Sequence, residues 1–120
     1  MKCHAGLRFA FLVALVLTTK FAAIAEPPAQ QQDAVTHDSL GNALSAKGDL
    51  DGAIAEYRTA ISQWPKFPYA HNNLGNTLEA KGDLDGAVAE FRAAIGHQPS
   101  YPEAQSALDK ALEAKVKSRR

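Results

Sequence analysis

The sequence predicts an all-α protein, an α-solenoid of two helix–turn–helix units closed by a C-terminal capping helix. Three observations predict it. The stretch from His37 to Ala53 recurs from His71 to Ala87, and Ala34–Pro65 matches Pro68–Pro99 at 19 of 32 positions, a period of 34 residues. A repeat of that length is the mark of stacked helix–turn–helix units. Within each unit the apolar residues recur at helical spacing, and glycine or proline stands at every place where a helix must end.

The elements follow in order. Lys2 and Arg8 precede an apolar run, Phe9 to Leu17, and Ala23-Ile24-Ala25 places small residues before Glu26. This is the layout of a secretory signal cleaved after Ala25. A spanning helix needs about 20 apolar residues, and Lys20 interrupts this run. The expectation is export to the periplasm with no stable membrane insertion after cleavage, against the alternative of a retained anchor. Cys3 is the only cysteine and lies in the signal, so a mature chain from Glu26 to Arg120 has none. It would be indifferent to an oxidising compartment. Residues 26–33, proline- and glutamine-rich, read as a flexible linker.

The first unit is expected over 34–67 and the second over 68–101. In the first, Leu40, Ala43 and Leu44 share one helix face, and Ala53, Ile54, Tyr57, Ala60 and Ile61 form the stripe of the next helix; Ala87, Val88, Phe91, Ala94 and Ile95 repeat that stripe. Gly48 and Gly82 suit a left-handed C-cap. Asp49 or Asp51, and Asp83 or Asp85, are candidate N-caps. Pro65 and Pro99 end the units, while Pro68 and Pro102 suit a first helical turn. Trp64 is expected to pack over the turn. Residues 102–120 form the capping helix and tail: Leu108 and Leu112 continue the register, but Gln105 and Asp109 replace the bulky and glycine positions that would face a further helix. Polar residues there are how a solenoid ends. Helices are expected near 35–47, 51–63, 69–81, 85–97 and 102–117.

With the spacing laid out, the chain resembles the tetratricopeptide repeat family. His37, Leu40, Gly41, Leu44, Ala53, Tyr57, Ala60 and Pro65 fall on the family's positions, as do His71, Leu74, Gly75, Leu78, Ala87, Phe91, Ala94 and Pro99. Histidine at the first position and leucine at the fourth depart from the usual residues but stay bulky. The resemblance implies a right-handed superhelix. It also implies that Gly41 and Gly75 allow close helix contact, met by the small Ala53 and Ala87, and that peptides bind on the concave face of the first helices.

Chemistry other than binding finds little support. Residues 26–120 carry ten basic and thirteen acidic side chains, net −3, which argues against nucleic acid as a partner. His37 and His71 occupy equivalent places, but two histidines without further ligands make a poor zinc site, and each is expected to fill an aromatic slot; His97 and His4 look incidental. No nucleophile–base motif, phosphate loop or redox pair is present. The expectation is no enzyme, no cofactor and no metal. The family's groove positions map onto Val35, Asp38, Asn42 and Ser45, onto Tyr69, Asn72, Asn73, Asn76 and Glu79, and onto Glu103, Ser106, Lys110 and Glu113. Partner-binding residues are therefore expected at Asp38, Asn42, Tyr69, Asn72, Asn73, Asn76 and Lys110. Asparagine both donates and accepts hydrogen bonds, as a peptide backbone does. Some members of the family clamp a chaperone's terminal carboxylates with three bases and two asparagines. The matching positions here, Asp38, Asn42, Asn73, Ser106 and Lys110, keep one base and gain an acid, so that ligand is not expected. The reading is a periplasmic adaptor for a protein or peptide, with self-assembly, as a weak homo-oligomer in an envelope complex, as the alternative.

Overall fold

The computed structural model describes residues 28–120. The signal and its cleavage point, and residues 26 and 27 of the linker, lie outside the described residues.

Five helices make up the described chain: α1 (Ala29–Ala46), α2 (Leu50–Gln63), α3 (Pro68–Ala80), α4 (Leu84–His97) and α5 (Pro102–Ser118). They form a helical solenoid in which α1 packs on α2, α2 on α3, α3 on α4 and α4 on α5. The four later helices begin and end within a residue of the positions expected from the repeat. The first does not. It begins at Ala29, so residues 29–33, expected as part of a flexible linker, are helical. The cause is local. Pro28 is the last proline before the first repeat and stands at the N-cap, where its missing N–H costs nothing. Its carbonyl accepts from Gln31 and Gln32, and alanine and glutamine, good helix formers, then continue the helix.

The turns within the units are built identically. Lys47 and Lys81 close the first helices, and Gly48 and Gly82 follow at φ 86° and 89°. The Gly48 N–H donates to the Ser45 carbonyl at 3.0 Å and the Asp49 N–H to Leu44 at 2.9 Å, and Gly82 and Asp83 do the same toward Glu79 and Leu78. That pair of bonds is the Schellman closure, and it requires the left-handed residue. Asp49 and Asp83, not Asp51 and Asp85, then cap the next helices, accepting from the Gly52 and Gly86 N–H at 2.9 Å. Asp51 and Asp85 are left free to pair with Lys81 and Lys115 of the following unit.

The core runs between the units through Ile54, Tyr57, Leu74, Leu78, Val88, Phe91, Leu108 and Ala111. Tyr57 and Phe91 are its largest fully buried side chains, and burying a ring of this kind contributes about 1.5–3 kcal/mol. These two rings cover Gly41 and Gly75: a Cβ on either glycine would lie 2.6 Å from a ring carbon. Leu40 also departs from expectation. It is 46% exposed, whereas Leu74 in the same register is 2% exposed. Leu74 is enclosed by the preceding unit, and among the described residues no helix precedes α1. Ala43 is exposed for the same reason. At the other end, Leu108 and Ala111 cover the second unit as expected. Gln105 and Asp109 face outward and bond to each other at 3.2 Å. Among the described residues no helix is long and apolar enough to cross a membrane.

Candidate functional site

The residues expected to bind a partner lie on α1, α3 and α5, which adjoin one another in that order along one face. The structure divides them into two sets.

The first set is engaged within the protein. Asp38 is only 8% exposed, and its Oδ1 accepts from the Asn73 amide at 3.0 Å. Burial pushes its carboxyl up from the ordinary range, and the bond from Asn73 opposes this only in part. Asn42 accepts from the Tyr57 hydroxyl at 2.7 Å. That phenol is pushed up by burial first and by the Asp38 carboxylate second, with a hydrogen bond to Thr77 acting against them. Asp38, Asn73, Asn42 and Tyr57 thus tie α1 to α2 and α3. Asn72 is 7% exposed and its Oδ1 has no hydrogen-bond partner.

The second set is open. Tyr69 is half-exposed and meets Tyr101 edge to face, ring centroids 5.3 Å apart. Asn76 and Lys110 are exposed. They line an open groove of about 500 Å³ between α3 and α5 with Glu79, Pro102, Glu103, Ser106 and Ala107. Burial, then the Glu103 carboxylate, Tyr69 and Asp38, push the Tyr101 hydroxyl up, and a hydrogen bond with Asn72 opposes them.

Sequence reasoning missed the aromatic ladder that leads there. Trp64 stacks on Phe67 at 4.5 Å, Phe67 meets Tyr69 at 6.1 Å, and Tyr69 meets Tyr101. The signal was available: Phe67 and Tyr101 are one period apart, just ahead of the prolines that open α3 and α5. Trp64 does pack over its turn, as expected.

The histidines do more than fill aromatic slots. His37 Nδ1 pairs with Glu56 at 2.6 Å and His71 Nδ1 with Glu90 at 2.7 Å, the same bond one period apart. His71 Nε2 also donates to the Pro65 carbonyl at 2.9 Å. Two acceptors call for two N–H donors, which only the imidazolium supplies. His71 is accordingly raised above its ordinary value, first by the bond to Glu90, with burial opposing. His71 faces the ring of His97 at 5.3 Å. Among the described residues no three His, Cys, Asp or Glu side chains gather as a metal site would require.

Comparison with known proteins agrees with this architecture. Residues 39–102 match the tetratricopeptide repeat family. Among similar solved structures, the first TPR of Spaghetti (RPAP3) bound to the HSP90 peptide SRMEEVD is 24% identical, with a TM-score of 0.71 over 72% of this chain and 69% of that one. The second TPR of the same protein, bound to the same peptide, is 22% identical, with a TM-score of 0.72 over 76% of this chain and 86% of that one. No curated protein sequence matches the chain significantly.

Proposed function

Because the chain belongs to the tetratricopeptide repeat family, we propose that it is an exported interaction module, a periplasmic adaptor that binds a peptide or protein partner along the face of α1, α3 and α5 and carries out no chemistry of its own. The observation that carries this reading is the open groove between α3 and α5, lined by Asn76, Glu79, Glu103, Ser106 and Lys110 and flanked by the exposed Tyr69. Tyrosine and asparagine beside an open channel supply apolar contact and paired hydrogen bonding, which an extended peptide needs from its receptor. The related folds from Spaghetti hold a peptide that ends in acidic residues. This groove carries Glu79 and Glu103 against Lys110, and Asp38 and Glu113 lie beyond it on α1 and α5, so complementarity favours a neutral or basic segment.

A photo-crosslinking residue placed at Asn76, and separately at Arg92 on the outer surface of α4, tests the reading in cells that make the protein. Partner capture from position 76 is expected. Capture from position 92 alone would refute it.

Self-assembly is a second reading with one observation behind it: Leu40 and Val35 on α1 are 46% and 40% exposed. Light scattering of the wild type and of Leu40→Lys tests it. A concentration-dependent dimer that the substitution abolishes would favour assembly through α1, and a monomer at all concentrations would exclude it.

A further inference from the structure

We propose that Asp38, on the same face as Tyr69, receives one basic side chain, a lysine or arginine, projecting from a peptide that lies along the α1–α3–α5 face. This deepens the peptide-binding reading and rests on it.

Asp38 is 8% exposed. One oxygen accepts from Asn73; no described residue donates to the other, and no described lysine, arginine or histidine pairs with it. The other ion pairs are complete: Asp51 with Lys81, Asp85 with Lys115, Glu56 with His37, Glu90 with His71. Taking a carboxylate out of water without a counter-charge is costly, and a cation of good geometry recovers much of that cost. A carboxylate that is buried, bonded on one side and lacking a cation is preorganised for one delivered by a ligand.

Asn73 fills one Asp38 oxygen. Ammonium and guanidinium groups only donate, so either suits the oxygen that no described donor holds.

Tyr69 stands one helical turn before Asn73, which holds Asp38; its ring packs edge to face on Tyr101 and leaves half its surface to solvent. A cation against a tyrosine face gains about 0.5–2 kcal/mol, more as it is desolvated. An acidic side chain would meet the same faces and carboxylates with the wrong sign. The period isolates the feature: the residues in register with Asp38 are Asn72 and Ser106, so a single charged seat is formed.

The test is selection of a random twelve-residue peptide library on the immobilised full chain, in parallel on wild type, Asp38→Asn and Asn76→Trp. Wild type is expected to enrich peptides with lysine or arginine at one fixed position. Replacing that residue with glutamine in a synthetic peptide should weaken binding about tenfold. Asp38→Asn should remove the basic requirement and weaken the peptide by a similar factor. It should melt no lower than wild type, since asparagine still accepts from Asn73 and no charge is buried. Enriched peptides without a basic position, a basic position kept on Asp38→Asn, or no enrichment at all would each overturn the proposal. Peptides without a basic position that Asn76→Trp blocks would sink the cation seat alone. Peptides indifferent to Asn76→Trp would remove the groove reading as well.

Discussion

Replacing Gly75 with alanine adds one carbon, and the structure says where it goes. The new Cβ would lie 2.6 Å from Phe91 Cε1, 2.8 Å from Cδ1 and 3.1 Å from Cζ. Phe91 is 0% exposed, so its ring has nowhere to retreat without displacing α4 from α3. Overpacking a tight core costs about 1–3 kcal/mol. Alanine in place of glycine inside a helix returns about 1 kcal/mol. The contact falls far short of ordinary van der Waals distance, so the upper part of the penalty applies. The net loss should be roughly 1–2 kcal/mol, or a melting temperature lower by roughly 5–15 °C for a domain of this size. Gly96 supplies the matched control, because it lies in α4 with nothing within 4 Å of its would-be Cβ. Gly96→Ala should stabilise by about 0.5–1 kcal/mol. Thermal melts followed by circular dichroism compare the two directly. A Gly75→Ala protein that melts at or above the wild type would refute the claim that ring–backbone contact sets the spacing of α3 and α4.

Asp109 stands in the same register on α5 and is exposed, so Asp109→Leu should move the melting temperature very little; a loss equal to that of Gly75→Ala would mean that α5 does not end the stack. Asp83→Ala, which removes the cap on the Gly86 N–H, should cost about 0.5–2 kcal/mol in a denaturant titration. Asp85→Ala breaks only the exposed pair with Lys115, so its smaller effect should disappear in high salt. His71, raised above its unfolded value, contributes stability that is complete below the unfolded value of about 6.5 and lost as pH rises through the folded one. The stability gap between wild type and His71→Gln should therefore be widest under mildly acidic conditions and narrow toward alkaline pH, and a gap that widens instead would contradict the paired imidazolium.

The parts of the fold legible in the sequence are those that each unit settles within itself. Gly48 and Gly82 announce their turns because a left-handed residue has few candidates. Asp49 and Asp83 cap because they stand immediately before α2 and α4, although spacing alone did not separate them from Asp51 and Asp85. What was not legible depends on neighbours. Leu40 has the pattern of a core residue but lacks the preceding helix that encloses Leu74. His37 and His71 read as bulky fillers because Glu56 and Glu90, their partners, lie on the following helix, where a charge at an outward position looks like solvated surface. The same holds at the groove. The face was identified from the register of α1, α3 and α5, but nothing in the spacing told that Asn42 and Asn73 would bond to Tyr57 and Asp38.

The comparison of the two units with each other separates folding from recognition. The capping aspartates, the turn glycines, the paired His–Glu residues and the lysines that bridge units recur one period apart, and each makes the same contact twice. On the shared face the register breaks. Val35, Tyr69 and Glu103 follow one another in one row, Asp38, Asn72 and Ser106 in a second, Asn42, Asn76 and Lys110 in a third. The outer surface repeats Arg58 at Arg92, and the shared face repeats Asn42 at Asn76 and Glu79 at Glu113 but changes in the rows of Val35 and Asp38. A face that binds an extended chain meets a different part of it at each unit, and each unit then needs its own side chains. The row that begins with Asp38 carries this furthest: its first member is a buried acid lacking a cation, its second a buried amide with an empty acceptor, its third an exposed hydroxyl in the groove. The one charge of the row thus sits at its α1 end, where a basic side chain of a bound peptide would be received.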